Sequence, residues 1–199
     1  MAFLLIYIIR PHILIIMSPA IAVVSLYLVF SLKNSVLIKA LSTIVFMITC
    51  LMIMQYTFSN YLRTDDISFE SIIAYGNSSH RWYANAHSTV DISEYNIFMK
   101  IFTFLYRPFF ESFNIKYLLS SFDNLIYLLL TVYLFLNIKY MKLNYMTVFN
   151  VVFLIVSIMI FSITIANNLG VSIRYKMMVL PMFFYLVVHI YKRKEFLKK

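Results

Sequence analysis

A polar segment, residues 59–96, separates two long apolar stretches from three further ones and holds five of the chain's eight acidic residues. These acids are Asp65, Asp66, Glu70, Asp91 and Glu94. The same segment also carries Arg63, Arg81, His80 and His87. Ionised carboxylates take protons from hydroxyl groups, and guanidinium groups bind phosphate or carboxylate oxygens in a bidentate way. The combination indicates a site for an anionic, hydroxyl-bearing substrate; the other interpretation is a solvated loop whose charges only reflect its side of a membrane.

The candidate catalytic carboxylates are Asp65, Asp66 and Glu111. Transfer of a glycosyl group needs a base that deprotonates the attacking hydroxyl and cations that stabilise a departing phosphate. Neighbouring aspartates can also bind a divalent cation, but no further ligands accompany this pair. The two histidines, seven residues apart without a cysteine, give little support for zinc. We predict neither a metal site nor a cofactor, since the chain also lacks nucleotide-binding glycine motifs.

The overall composition excludes a soluble domain. The chain is 62% hydrophobic and 13% charged, with a mean hydropathy of +0.84, which is typical of a multi-pass membrane protein. Its 199 residues accommodate about five spans of roughly 20 residues. Much of the net charge of +9 flanks apolar stretches, so the predicted partner is the lipid bilayer with its anionic headgroups rather than nucleic acid.

We predict an all-α, polytopic transmembrane helix bundle that forms a single domain. The spans are expected at residues 13–32, 36–58, 118–138, 145–166 and 177–191. An amphipathic pattern over residues 97–114 predicts an interfacial helix that Pro108 interrupts. Asp123 falls inside the third span, where a carboxylate is costly unless it is paired, and we expect a packing partner such as an arginine.

The distribution of basic residues orients the predicted bundle. The tail after residue 191 is strongly basic and should lie in the cytoplasm, which places residues 59–96 on the outer side. Nine Lys and Arg residues then lie inside and eight outside, and five of those eight are arginines. These are Arg10, Arg63, Arg81, Arg107 and Arg174. Such a cluster suits a pyrophosphate-linked lipid or an acidic sugar, and the alternative is that each arginine anchors the chain at the headgroups.

Three segments together resemble a known family. They are IRPH at residues 9–12, LYRPFFESFN at 105–114 and ANNLGVSIRYK at 166–176. Oligosaccharide repeat-unit polymerases (Wzy-like) and related membrane proteins of bacterial polysaccharide biosynthesis carry similar patterns: an Arg-Pro-His turn, then RPF-x-E-x-x-N, then N-x-G-x-x-x-R. The resemblance covers roughly residues 9–190 and corresponds to the C-terminal half of chains about twice as long. Phe110 departs from the pattern, which more usually has a Pro-Trp type of sequence there.

The resemblance implies a glycosyltransferase-type polymerase in the bacterial inner membrane. Such an enzyme transfers a glycan between undecaprenyl-pyrophosphate carriers on the outer face. Arginines and Asn168 would bind the substrate, and a carboxylate or His12 would activate the acceptor. Other polysaccharide-assembly proteins are the implied partners. We also expect the chain to need further helices, because residues 1–9 are too short to cross a bilayer.

Two other functions remain open from the sequence. The first is a non-catalytic transporter or flippase, although such proteins place polar groups at mid-bilayer and the predicted spans contain little charge besides Asp123. The second is an accessory component of polysaccharide export whose polar segment only docks a partner.

The orientation of the polar segment can be tested directly. In a Cys50→Ala background, Ser79→Cys should react with a membrane-impermeant maleimide on intact cells, because residues 59–96 are predicted to lie outside. Reaction only after the membrane has been opened would reverse the predicted orientation and remove the argument for an outer-face site.

Overall fold

The computed structural model describes residues 11–31, 36–57, 59, 68, 70, 74, 78, 88–110 and 115–198. Over these ranges the fold is all-helical, which confirms the predicted class. The six helices are α1 (Pro11–Ser31), α2 (Val36–Thr57), α3 (Ile97–Tyr106), α4 (Ile115–Asn137), α5 (Tyr145–Thr164) and α6 (Leu169–Phe196). A 3-10 turn, Ile138–Tyr140, continues α4.

Within the part of the chain that the structure describes, three helical segments meet both the length and the hydropathy expected of a membrane span. They are Leu118–Tyr140, Tyr145–Thr164 and Leu169–Phe196. Each exposes large apolar side chains, and Phe135 and Leu136 on α4 are both 73% exposed. Exposure of such surfaces to water along whole helices would be unfavourable, whereas their contact with lipid acyl chains carries no such penalty. The protein is therefore a multi-pass membrane protein with three candidate spans.

Several helix boundaries differ from the sequence-based expectation, and two of them bear on the predicted site. α6 begins at Leu169, eight residues before the expected span, because the Asn168 side chain accepts a hydrogen bond from the Val171 N–H and caps the helix there. Arg174 and Lys176 thus lie in a helix and not in a loop. α3 ends at Tyr106, because Pro108 forces the preceding Arg107 into extended backbone (ψ 149°).

The chain divides into two compact units. The first comprises Met1–Ser71 and Leu143–Val156, and its described part contains α1, α2 and the first half of α5. α1 and α2 pack against each other, and α1 continues through Pro19. The Lys39 ammonium donates a hydrogen bond to the Phe30 carbonyl (3.2 Å), which satisfies an acceptor in the last turn of α1.

The second unit comprises Ile72–Lys142 and Ser157–Lys199. Its described part contains α3, α4, the second half of α5, and α6. Aromatic side chains join these helices: Phe161 lies 5.8 Å from Phe104 and 4.8 Å from Tyr175, between ring centroids. Phe183 of α6 similarly packs edge-on against Tyr127 of α4 at 5.9 Å.

α6 separates its residues into two stripes. The buried residues recur at alternating intervals of four and three, at Ser172, Lys176, Val179, Phe183, Leu186 and Ile190. Arg174, Met177, Phe184 and Tyr191 face outward. The stripe that packs against protein therefore includes one cation, Lys176, among apolar and small side chains.

The start of α5 depends on a side-chain cap that can be tested. Asn144 Oδ1 accepts hydrogen bonds from the Thr147 N–H (2.8 Å) and the Thr147 hydroxyl (3.0 Å). Asn144→Ala should lower the free energy of unfolding by about 1 kcal/mol, whereas Asn144→Ser retains a cap and should stay close to wild type. Unfolding by detergent titration measures both. Equal stability of the alanine and serine variants would contradict the assigned role.

Candidate functional site

The side chain of Lys176 lies at the centre of the second unit. It is only 2% exposed, and its ammonium donates to three oxygens: Leu105 O at 3.3 Å, Arg107 O at 3.2 Å and Asn124 Oδ1 at 2.6 Å. Two of these oxygens are carbonyls at the C-terminal end of α3, where the helix dipole favours a cation. An ammonium has three N–H donors, so this set of contacts uses all of them.

The turn after α3, residues 107–110, is held by α4 as well. The Pro108 carbonyl accepts hydrogen bonds from Asn124 Nδ2 (2.7 Å) and from the Ser121 hydroxyl (3.3 Å). The same hydroxyl accepts the Phe110 N–H at 2.9 Å, which supports the left-handed backbone of Phe110 (φ 54°). Ser121 and Asn124 are both buried, so lipid cannot displace the hydrogen bonds by which these side chains hold the turn.

α4 and α6 run in the same direction, which places their starts at one end of the unit. The Tyr127 hydroxyl donates to the Lys176 carbonyl (2.9 Å), and further along the helices Lys194 Nζ donates to Asn137 Oδ1 (2.8 Å). The turn after α3 and the start of α6 therefore share this end, which we call the motif end (residues 105–110, 121–127 and 166–176).

Asn168 organises the start of α6. Its Oδ1 accepts from the Val171 N–H and from the Ser88 hydroxyl, both at 3.1 Å. Main-chain bonds from Val90 N to Asn167 O (2.7 Å) and from Leu169 N to Ser88 O (3.1 Å) complete the contact. Gly170 packs here, and a Cβ on it would meet Ser88 Oγ at 3.4 Å. Asn168, predicted to bind substrate, thus has its carboxamide oxygen engaged within the protein.

The two described arginines of the predicted site differ in surroundings. Arg107 is half-buried, and its Nη1 donates to the Tyr95 hydroxyl (3.2 Å). Arg174 is exposed on the outward stripe of α6, two residues before Lys176. Both arginines belong to the motif end. A guanidinium at such a position reaches phosphate or carboxylate oxygens at the membrane surface.

A cleft of about 210 Å³ opens between α4 and α6. Asp123, Asn124 and Lys176 form its polar part, and Ile173, Met177, Leu180 and Phe184 contribute to its apolar part. Asp123 is exposed and interacts electrostatically with Lys176. The cation that shares the cleft with Asp123 is a lysine, where the sequence suggested an arginine. A carboxylate in such a cleft accepts hydrogen bonds from hydroxyl groups and can serve as a base.

Tyr106 closes the last turn of α3. It is 9% exposed and packs against Phe102 with ring centroids 5.3 Å apart. Burial raises the pKa of its phenol, and a hydrogen bond with the Thr131 side chain only partly opposes this. The side chain of Tyr106 thus belongs to the packed interior of the second unit.

The remaining predicted site residues are not placed by the structure. Those outside the described residues are Arg10, Arg63, Asp65, Asp66, Arg81 and Glu111. His12 lies in the first turn of α1, and its side chain is likewise outside the description. Among described residues, no three of His, Cys, Asp and Glu lie close enough to share a metal ion.

Sequence reasoning missed the central residues Lys176, Asn124 and Tyr127. Lys176 is the last residue of the third motif segment, but nothing in its local spacing distinguishes it from a loop lysine. A buried position could have been inferred from its four-residue separation from Ser172 once the helix start at Leu169 was known. Asn124 was overlooked next to the more conspicuous Asp123.

Comparison of the chain with protein-family models, with curated proteins and with solved structures finds no match.

The role of Lys176 leads to a stability prediction. Lys176→Met roughly keeps the length of the side chain but removes the donor of three oxygens, two of them in buried contacts, so the free energy of unfolding should fall by about 2 kcal/mol or more. Arg174→Met, an exposed site two residues away, should change it by less than about 0.5 kcal/mol. Detergent-induced unfolding of the two variants gives the comparison. If they are equally stable, the ammonium does not hold the motif end together.

Proposed function

We propose that this chain is a polymerase-like protein of bacterial surface polysaccharide assembly that binds a lipid-pyrophosphate-linked glycan at the motif end. The observation that carries the proposal is the contact between two of the resembling segments. Lys176, the last residue of ANNLGVSIRYK, donates to the Leu105 and Arg107 carbonyls of LYRPFFESFN. These contacts join residues 71 and 69 positions apart in sequence, so the two segments form one structure, as parts of a single site should.

The proposed membrane arrangement has five spans. α1 and α2 contain 21 and 22 residues, about 32 Å of helix each and enough to cross hydrocarbon. α2 also exposes large apolar side chains along its length, including Leu41, Ile48 and Met52. With the basic tail in the cytoplasm of a bacterial inner membrane, residues 59–96 and the motif end face outward, where lipid-linked repeat units are available.

We assign different residues to binding of the pyrophosphate and to activation of the sugar acceptor. Arg107 and Arg174 bind the pyrophosphate, because both lie at the motif end and Arg174 is exposed next to the lipid-facing stripe. Lys176 is not a phosphate ligand, since its three donors are already used. Asp65, Asp66, Glu111 and His12 remain the proposed groups for activating the acceptor hydroxyl.

A transporter or flippase is less well supported. Asp123 is five residues from the start of the Leu118–Tyr140 segment and Lys176 is seven residues from the start of α6, about 8 and 11 Å along the helices. Both charges therefore lie towards one end of their helices, whereas transporter sites lie near the midplane. If the protein had only an accessory role in polysaccharide export, the motif end would bind no ligand. Measuring the binding of the carrier lipid distinguishes this accessory role from the proposed one.

Binding of the carrier lipid tests the proposal. The purified chain in nanodiscs with excess phosphatidylglycerol should bind undecaprenyl pyrophosphate more tightly than undecaprenol. Arg107→Ala and Arg174→Ala should each weaken this binding about tenfold or more, since a charge-assisted contact contributes about 1.5–3 kcal/mol. Arg→Lys at either position keeps the charge but loses the bidentate geometry, so part of the defect should remain.

Arg193→Lys, at the other end of α6, is the matched control and should bind as wild type does. In cells, the same Arg107 and Arg174 variants should shorten the polysaccharide. Normal carrier binding and normal polysaccharide length in both alanine variants would exclude the proposed role.

A further inference from the structure

The end of the second unit opposite the motif end carries a concentration of positive charge. Two segments, residues 138–142 after α4 and residues 189–198 at the end of α6, carry six cations: Lys139, Lys142, Lys192, Arg193, Lys194 and Lys198. Within the described residues of these two segments the only acid is Glu195, which pairs with Lys198 at 2.9 Å. The other five cations are left without a carboxylate from either segment. We call this group the basic end.

Tyr140 lies at the centre of the basic end. Lys139 Nζ is 5.2 Å and Lys194 Nζ is 5.6 Å from the centroid of its ring. Each ammonium interacts favourably with the aromatic face, but two like charges around one ring repel each other. An anion bound close to both ammonium groups would relieve that repulsion, which makes the neighbourhood of Tyr140 a suitable place for a phosphate.

The protein holds these cations in position. Lys194 is half-buried, and its ammonium donates to Asn137 Oδ1 at 2.8 Å. His189 Nε2 lies 3.1 Å from the Lys142 carbonyl, which ties the residues after the 3-10 turn to α6. The ring of His189 also stacks on Tyr185 at 5.9 Å. The lysines are thus presented by two helices that are fixed to each other.

Apolar side chains border the basic end on the side of the candidate spans. Phe135 and Leu136 precede the 3-10 turn, and Val188 and Tyr191 precede the basic residues of α6; all four are exposed. In a bilayer these side chains contact acyl chains, and the basic residues beyond them reach the phosphate layer. A ligand that satisfies both surfaces has hydrocarbon chains and an anionic headgroup.

We propose that the basic end is a binding site for an anionic phospholipid, with its headgroup phosphate near the ammonium groups of Lys139 and Lys194 at Tyr140. The site is independent of the proposed glycan function, because it lies at the other end of α4 and α6. Its occupant would tie the C-terminal ends of these two helices to one leaflet.

Native mass spectrometry of the full chain tests the site. The chain is released from detergent in the presence of equal amounts of phosphatidylglycerol and phosphatidylcholine, and the ratio of the two bound forms is measured. Wild type should prefer phosphatidylglycerol. Lys139→Gln should reduce the preference about fivefold, and the Lys139→Gln/Lys194→Gln pair about thirtyfold, given the usual contribution of one lysine near an anionic surface.

Two controls make the result specific. Lys100→Gln on α3 removes the same charge elsewhere and should leave the preference unchanged, while Lys139→Arg should retain it. Lys139 is exposed, so its single variant stays informative if loss of the Lys194–Asn137 bond impairs folding. An unchanged preference in Lys139→Gln, or an equal loss in Lys100→Gln, would overturn the proposal. Abolition of the preference by excess inorganic phosphate would assign the site to a free anion instead of a lipid.

Discussion

The arrangement of the second unit depends on one buried ammonium group. Lys176 joins α6 to the C-terminal end of α3 and to Asn124 of α4 through three short contacts with uncharged oxygens. Burying a cation among neutral groups is expensive unless every donor is used, and here the helix dipole of α3 contributes further stabilisation. The position of the turn at residues 107–110, and with it the orientation of Arg107, follows from this interaction.

The same physical requirement explains the other polar contacts. Hydrocarbon offers no partners to free carbonyl and amide groups, so helix ends near lipid must be satisfied by the protein itself. Asn168 and Asn144 supply acceptors at two helix starts, and Lys39 supplies a donor at the end of α1. Polar residues that look like site candidates in the sequence can therefore be caps. The carboxamide oxygen of Asn168 is already used in capping α6, so any contact of this residue with substrate would use its amide N–H donors.

Much of the fold was predictable because apolar stretches separated by polar or proline-containing turns specify helices almost unaided. The interruption at Pro108 was predictable, although the pattern extended the interfacial helix to residue 114 and α3 ends at Tyr106. The second and third motif segments share one end of the second unit, whereas their placement on the outer face stays a prediction. Lys176 was not predictable, since its partners lie 52 to 71 residues away and such pairings leave no local pattern. The start of α6 was missed because hydropathy falls across residues 169–176, where the Asn168 cap, and not hydrophobicity, begins the helix. The catalytic predictions at Asp65, Asp66, Glu111 and His12 stay predictions.

The buried stripe of α6 recurs at alternating intervals of four and three residues from Ser172 to Ile190, which averages to a heptad spacing. A straight α-helix drifts by only about 20° per heptad from this spacing, so a stripe of this length stays against its neighbours. The angular position of each residue around the helix axis is then as important as the type of residue. Each residue advances the helix by about 100°, so a one-residue insertion between Ser172 and Lys176 would carry the ammonium around the helix and out of its oxygen cage. Evolution of this segment should consequently accept substitutions far more readily than changes in length.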